Sequence, residues 1–161
     1  MVRLAKRADF DVIWGVYLDA REFMRQTGNP TQWGDFYPTK PMLEQDMERK
    51  ELYVIERDGI ICGVFLLAKG PDPWYAVIDE GAWKSDEPYS VIHRVAAKTE
   101  AKGVFAECLS FALSKNQHLR IDTHADNKVM QHILEKNGFV RCGIVYVHPH
   151  KSPRIAYEKI K

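Results

Sequence analysis

Apolar residues recur along the chain with two periods, near 3.6 in some stretches and two in others, and the switches between them lay out its elements. Val2 to Ala5 reads as a first short strand. Phe10, Ile13, Trp14, Tyr17 and Leu18 then share one face of a helix, with Asp9 in place to cap its start and Gly28-Asn29-Pro30 to end it. Thr31 to Pro41 mixes Trp33, Phe36 and Tyr37 with Gly and Pro, which predicts an ordered loop. Pro41 to Lys50 reads as a helix with its proline in the first turn. ELYVIER and IICGVFLLA are two strands, and Asp58-Gly59 between them is a strong hairpin signal. The next stretch is punctuated by Pro and Gly, with Tyr75 to Ile78 as a short strand.

Tyr89 to Leu109 is the stretch around which the rest is organised. Val91, Ile92, Val95, Ala96 and Ala97 form a mostly apolar run with His93 and Arg94 set into it, as in a strand buried on much of both faces. A polar turn, Lys98 to Lys102, follows, and from Gly103 the positions Val104, Phe105, Cys108, Leu109 and Ala112 make one face of a helix. HLRIDTH is again a strand, with Leu119 and Ile121 on one face and Arg120, Asp122 and His124 on the other. Ala125-Asp126-Asn127 caps a helix that Asn137-Gly138 stops. VRCGIVYV and RIAYEKI, joined by HPHKSP, are the last two strands. Strands with helices interspersed, a strand-helix-strand crossover over Val91 to His124 and an antiparallel hairpin at each flank predict one mixed α/β domain spanning residues 1–161.

Composition narrows the functional classes. The 161 residues, 45% hydrophobic and 28% charged, suffice for one sizeable core. A net charge of +1 with Lys and Arg interspersed among Asp and Glu argues against a nucleic-acid partner. The longest apolar run, Ile60 to Ala68, is too short to span a bilayer, and the N-terminus lacks the apolar segment of a secretory signal, so no membrane partner is expected and a cytoplasmic location is. Cys62, Cys108 and Cys142 are odd in number, lie in apolar contexts and have no CxxC spacing, which reads as reduced core thiols.

The candidate chemistry starts at Gly103. A strand that delivers a helix N-terminus at a glycine leaves backbone N–H groups unpaired, with the positive end of the helix dipole behind them, and such a place suits a phosphate or pyrophosphate. The other reading is an ordinary joint whose N–H groups face water.

IHRVA, the loop with Lys102-Gly103 at the head of a helix, RIDTHADNKVMQHILEKNGF and CGIVY together resemble the GNAT acetyltransferase superfamily, over nearly the whole chain. The resemblance implies a mostly antiparallel central sheet with a splayed parallel pair of strands and helices on both faces. It implies acetyl-CoA as cosubstrate, lying between the strands at Val91 to Ala97 and Leu119 to His124. Backbone groups of Val95 and Ala97 would then bond the pantetheine amides, the N–H groups of Lys102, Gly103, Val104, Phe105 and Ala106 would hold the pyrophosphate, and Asn127 would touch the cofactor arm. It leaves room for a homodimer through the C-terminal strands. The sequence departs from the family loop Q/R-x-x-G-x-G/A, which aligns with Glu100 to Phe105 and keeps only the central glycine. The family's frequent Tyr acid aligns with Leu134 and its frequent Glu base with Val91.

Acetyl transfer needs an unprotonated amine, whereas an alkyl amine with a pKa of about 10 is almost wholly protonated near neutrality. His93 is the leading candidate base, on the strand face of Val91, and His124 the second; the alternatives are a hydrogen-bonded core histidine and a residue that fixes the strand-helix turn. Trp33 and Tyr37 either line the acceptor pocket or close one end of the core. His148 and His150, without carboxylate or thiol partners, are not expected to bind metal. The expected function is N-acetylation of a small or amino-acid-like amine; a non-catalytic acyl-CoA sensor and a protein or peptide N-acetyltransferase are the alternatives.

Overall fold

The computed structural model describes residues 1–147 and 150–161. Strand β1 (Val2–Leu4) pairs antiparallel with β2 (Leu52–Arg57), and β2 with β3 (Ile60–Lys69). The β2–β3 turn is the expected one: Asp58 and Gly59 take φ of 51° and 78°, and two successive positive φ values give the turn whose twist matches that of its strands. β4 (Ser90–Ala97) continues the sheet antiparallel to β3, and β5 (His118–Thr123) lies parallel to β4. β6 (Val140–Val147) and β7 (Ser152–Ile160) form the closing hairpin, with β7 inserted beside β5, so the sheet order is β1-β2-β3-β4-β5-β7-β6.

Helices cover both faces. α1 (Phe10–Gln26) and α2 (Lys40–Glu48) bury Ile13, Val16, Tyr17 and Leu43 against Leu52, Val54, Ile61 and Val64 of the sheet. α3 (Val104–Lys115) and α4 (Lys128–Lys136) bury Phe105, Cys108, Leu109 and Leu134 against Ile55, Phe65, Ile92 and Leu119. The same strands thus feed two cores by alternation, which is why β3 reads as a nearly unbroken apolar run. α4 is short and anchored chiefly through Leu134, which is fully buried, so Leu134→Ala would cost about 2–5 kcal/mol and loosen that helix first.

Three local expectations are corrected. Asp9 does not cap α1: its carboxylate accepts the Lys6 N–H at 2.7 Å and pairs with Arg3 at 2.8 Å. Tyr75 to Ile78 is not a strand; Pro73–Tyr75 is a 3₁₀ turn capped by Asp72, whose Oδ1 accepts the Trp74 N–H at 2.9 Å, and the chain meets the sheet edge only where Asp79 bridges Ile144. α2 begins one residue earlier than expected, because the Thr39 hydroxyl accepts the Met42 N–H and sets the start. All three cysteines are buried and unbridged.

Candidate active site

β4 and β5 are paired only at one end. Ser90 opposes Leu119 and Val91 opposes Arg120; beyond them the two strands have no register partners and diverge. Two features of β4 hold the gap open. Its pairing with β3 slips between Leu66 and Val64, leaving Arg94 and Val95 out of the ladder, and Arg94 takes a φ of 52°, strained for a side chain of that size. The strain is held by Arg94's own bonds: its guanidinium donates to both Asp46 oxygens at 2.8 and 2.9 Å and to the Tyr37 hydroxyl at 2.8 Å, while its carbonyl accepts the Tyr17 hydroxyl at 2.8 Å. The bulge is therefore fastened from α1, α2 and the aromatic loop together.

The gap opens into a cleft of about 1040 Å³ whose lining includes His93, Val95, Asp122, Asn127, Trp33 and Tyr37. Trp33 packs on Tyr17 (5.7 Å between ring centroids) and on Tyr37 (6.0 Å), and both Trp33 and Tyr37 line the cleft. Arg21 latches their loop from α1: its guanidinium is buried and donates to the carbonyls of Asp35, Tyr37 and Pro38.

His93 sits between two carboxylates. Its Nε2 bonds Asp72 Oδ2 at 2.8 Å, and its Nδ1 lies 3.8 Å from Asp122 Oδ2. Burial works to raise Asp72, but the bond and charge of His93, the Trp74 N–H and the nearby Arg94 together outweigh it and hold that carboxyl below its ordinary range. An ionised Asp72 can only accept, so Nε2 carries a proton, and in the neutral form of the ring the lone pair is the one on Nδ1. Asp122 Oδ2 also accepts the Tyr75 hydroxyl at 2.6 Å; burial first, and then the Asp122 charge, push that hydroxyl well above its ordinary value. Asp72, Tyr75 and Asp122 did not stand out in the sequence. Asp122 was legible in part, as a polar residue between Ile121 and Thr123 on the face of Arg120.

His124 is placed differently. It is absent from the cleft lining, its Nδ1 accepts the Asp126 N–H at 3.0 Å and its Nε2 lies 3.4 Å from the Thr31 hydroxyl. Burial, and then the nearby Arg154, lower its pKa. A ring nitrogen bound to the backbone of its own turn fixes that turn, which is the alternative the sequence left open. Asn127 caps α4 through Oδ1, 3.0 Å from the Met130 N–H, and its Nδ2 donates to Gln32 Oε1 at 3.0 Å, tying the aromatic loop to the head of α4.

At the head of α3, Gly103 takes a φ of 74°, a conformation that glycine adopts without strain. The first N–H groups of the helix, those of Val104, Phe105 and Ala106, precede any residue that could accept them within it. The Phe105 side chain is buried, 6.4 Å from the Phe139 ring centroid, so it does not stand in the way of an anion at these N–H groups. Glu100 is exposed. Arg57 braces the loop from below, donating to the Lys102 carbonyl at 2.8 Å and pairing with Glu107. Ala97 pairs with Gly63 in the sheet and, like Lys102 to Ala106, lies beyond the cleft lining, in line with the strand that leaves it. His150 lines the cleft, whereas His148 lies outside the described residues. Among the described residues no group of three His, Cys, Asp or Glu side chains is placed to hold a metal ion, and no helix is long and apolar enough to cross a membrane.

A seven-stranded mixed sheet, one parallel pair that splays beside a bulge, and a helix N-terminus at the end of the bulged strand are the features that the resemblance to acyl-CoA-dependent acyltransferases implies. No family model and no curated protein matches the sequence. Among solved structures, an acetyltransferase of the GNAT family from Streptococcus agalactiae 2603 is 31% identical, with a TM-score of 0.90 over 100% of this chain and 95% of that one. A provisionally assigned acetyltransferase from Staphylococcus aureus Mu50 is 28% identical, with a TM-score of 0.72 over 99% and 98%. The ribosomal-protein-alanine N-acetyltransferase of Brucella melitensis shares the fold, with 19% identity and a TM-score of 0.66 over 100% and 99%. The chain belongs to the GNAT family of acetyltransferases.

Proposed function

We propose that the protein transfers an acetyl group from acetyl-CoA to the amine of a small molecule, with His93 as general base. The observation that carries this reading is the parting of β4 from β5 after Val91, which leads into the cleft at the only histidine of either strand whose ring has a nitrogen without a hydrogen-bond partner among the described residues.

The residues present fit the cosubstrate. The backbone of Val95 and Ala97 would bond the pantetheine amides, the N–H groups of Lys102 to Ala106 would hold the pyrophosphate, and Asn127 would contact the arm; the αL Gly103 and the inward Phe105 keep the loop open to an anion. When bound, acetyl-CoA supplies a thioester whose acyl carbon is attacked by the amine, the C–N bond forming as the C–S bond breaks and CoA leaves as a thiolate. The chain's part is proton handling and position. His93 Nδ1 takes the proton that keeps the amine from reacting, Asp72 holds the ring so that this nitrogen faces the cleft, and Trp33 and Tyr37 wall off the acceptor. A weakly basic thiolate leaves without a dedicated acid, which accommodates Leu134, fully buried, at the place where the family often has a Tyr. Three buried, unbridged thiols support a reducing compartment and with it a cytoplasmic location.

The test is calorimetric titration with acetyl-CoA, followed by thioester loss across a panel of amines. Micromolar binding and amine-dependent turnover are expected; binding without turnover for any amine would turn the reading to an acyl-CoA sensor, and efficient turnover of peptides but not of small amines would turn it to protein acetylation.

A further inference from the structure

The carboxylate of Asp122 has no counterpart in the mechanism above. Its side chain is nine-tenths buried, 10% exposed, and it lines the cleft. Oδ2 is engaged by Tyr75, but Oδ1 accepts no hydrogen bond among the described residues: its nearest cation, Arg154 Nε, stands at 4.0 Å. The two Nη atoms of Arg154 are committed elsewhere, to the Ser152 hydroxyl and to the carbonyls of Pro153 and Gln32, so this arginine tempers the charge of Asp122 without satisfying it. Facing Asp122 is the lone pair of His93 Nδ1, at 3.8 Å from Oδ2, too far for a direct bond. A carboxylate with one oxygen free of hydrogen bonds among the described residues and a ring nitrogen thus face one part of the cleft, where an incoming donor can reach both.

We infer that Asp122 and His93 Nδ1 form a subsite for the acceptor's ammonium group, so that the natural acceptor is an alkyl amine bound as a cation. This rests on the proposed function for what happens next, but not for the binding itself. An ammonium group has three N–H donors on one nitrogen, enough to reach a carboxylate oxygen and the imidazole lone pair together. An alcohol, or an amine already neutral at the working pH, lacks the charge that pairs with Asp122. The proton step balances within the subsite: the ammonium gives one proton to Nδ1, His93 becomes an imidazolium held by Asp72 on Nε2 and faced by Asp122 on Nδ1, and the neutral amine remains beside it. Asp72 is the positioning residue, and Asp122 recognises the substrate's charge.

The probe is benzylammonium, chosen for a cleft lined by Trp33 and Tyr37, with benzyl alcohol as its neutral counterpart; the readout is the nitrogen and ring-proton NMR signals of His93 in the full-length protein. Benzylammonium should move the His93 signals saturably and benzyl alcohol should not, and Asp122→Asn, which keeps an oxygen for the Tyr75 hydroxyl, should raise the apparent Kd at least tenfold. In Asp72→Asn the Nε2–H tautomer should lose its dominance. Equal response to the charged and the neutral probe in the wild-type protein would overturn the inference without recourse to any variant, and so would an unchanged Kd in Asp122→Asn. Calorimetry with acetyl-CoA alongside separates the two ideas: failure to bind the thioester sinks the acetyl-transfer reading, while the benzylammonium titration still reports on the subsite.

Discussion

The chain places two histidines beside carboxylates on the same stretch of sheet, and among the described residues only one of them keeps a ring nitrogen without a hydrogen-bond partner. His118 opens β5 at the closed end of the β4–β5 pair. It is 5% exposed, its Nε2 meets Glu158 at 2.7 Å and its Nδ1 meets the Glu87 carbonyl at 3.1 Å. Glu158 also accepts from Arg120 Nε at 2.8 Å and from the Lys84 N–H at 2.7 Å, and the Arg120 guanidinium lies between the rings of Trp83 and Tyr89, about 4 Å from each centroid. Both ring nitrogens of His118 and both carboxylate oxygens of Glu158 have partners. His93, on β4 at the open end, has one nitrogen bonded and the other facing a cleft. The same residue types thus make a clamp where hydrogen bonding is saturated and a candidate centre, open to the cleft, where it is left incomplete. The clamp also serves the centre, because by tying residues 84–89 to β5 and β7 it holds the closed end from which β4 and β5 diverge.

The contrast is broken most directly at the open end. His93→Ala should lower amine-dependent thioester loss at neutral pH by roughly 10²–10⁴-fold, the usual share of a general base, and cost about 1–3 kcal/mol in stability because Asp72 loses its partner. A loss confined to Tm, with turnover per folded molecule intact, would make His93 another clamp. At the closed end the signature should invert. Glu158→Ala removes the shared partner of His118 and Arg120 in a buried setting and should cost about 3–5 kcal/mol, seen as a fall in Tm of roughly 6–20 °C, with kcat of the remaining folded protein little changed.

The two ends also differed in how far the sequence revealed them. Periodicity located every strand of the sheet, and Asp58-Gly59 and Asn127 marked turn and cap correctly, because those signals are local and each rests on the conformation or hydrogen bonding of a few consecutive residues. His93 was visible as a polar interruption of an apolar strand. Its partners were not, since Asp72 lies 21 residues before it in a segment punctuated by Pro and Gly, and Asp122 lies on another strand. Arg94 was equally opaque: nothing in IHRVA announces a bulge, which exists because Asp46, Tyr37 and Tyr17 hold the strained residue from three distant segments. His124 differs for the converse reason: a local bond from the Asp126 N–H takes up its Nδ1 and keeps the ring at its own turn.

A smaller effect should come from the packing that positions the head of α3. A Cβ at Gly63 would lie 2.5 Å from Val104 Cγ1, closer than any relaxed contact, and Val104 is the first residue of that helix. Gly63→Ala should therefore cost about 1–3 kcal/mol by overpacking, and by displacing the N–H groups offered to the pyrophosphate it should weaken acetyl-CoA binding roughly tenfold for each 1.4 kcal/mol transmitted. Calorimetry on Gly63→Ala decides this. Unaltered affinity in a destabilised protein would show that the head of α3 does not carry the cosubstrate.

The smallest expected effect is a pH dependence that belongs to the clamp alone. Burial works to raise the Glu158 carboxyl, but the bonds from His118, Arg120 and the Lys84 N–H prevail and hold it below its ordinary value of 4.5. A carboxyl whose folded pKa lies below its unfolded one stabilises the native state fully above the unfolded value, and loses that contribution as pH falls through the lower, folded value. The difference in Tm between the wild-type protein and Glu158→Gln should accordingly be constant from neutrality down to about pH 5 and shrink below it, since the neutral amide cannot titrate. Melting curves taken across that range test the assignment, and a Tm difference that held steady into strong acid would mean that Glu158 owes its place to packing rather than to its charge.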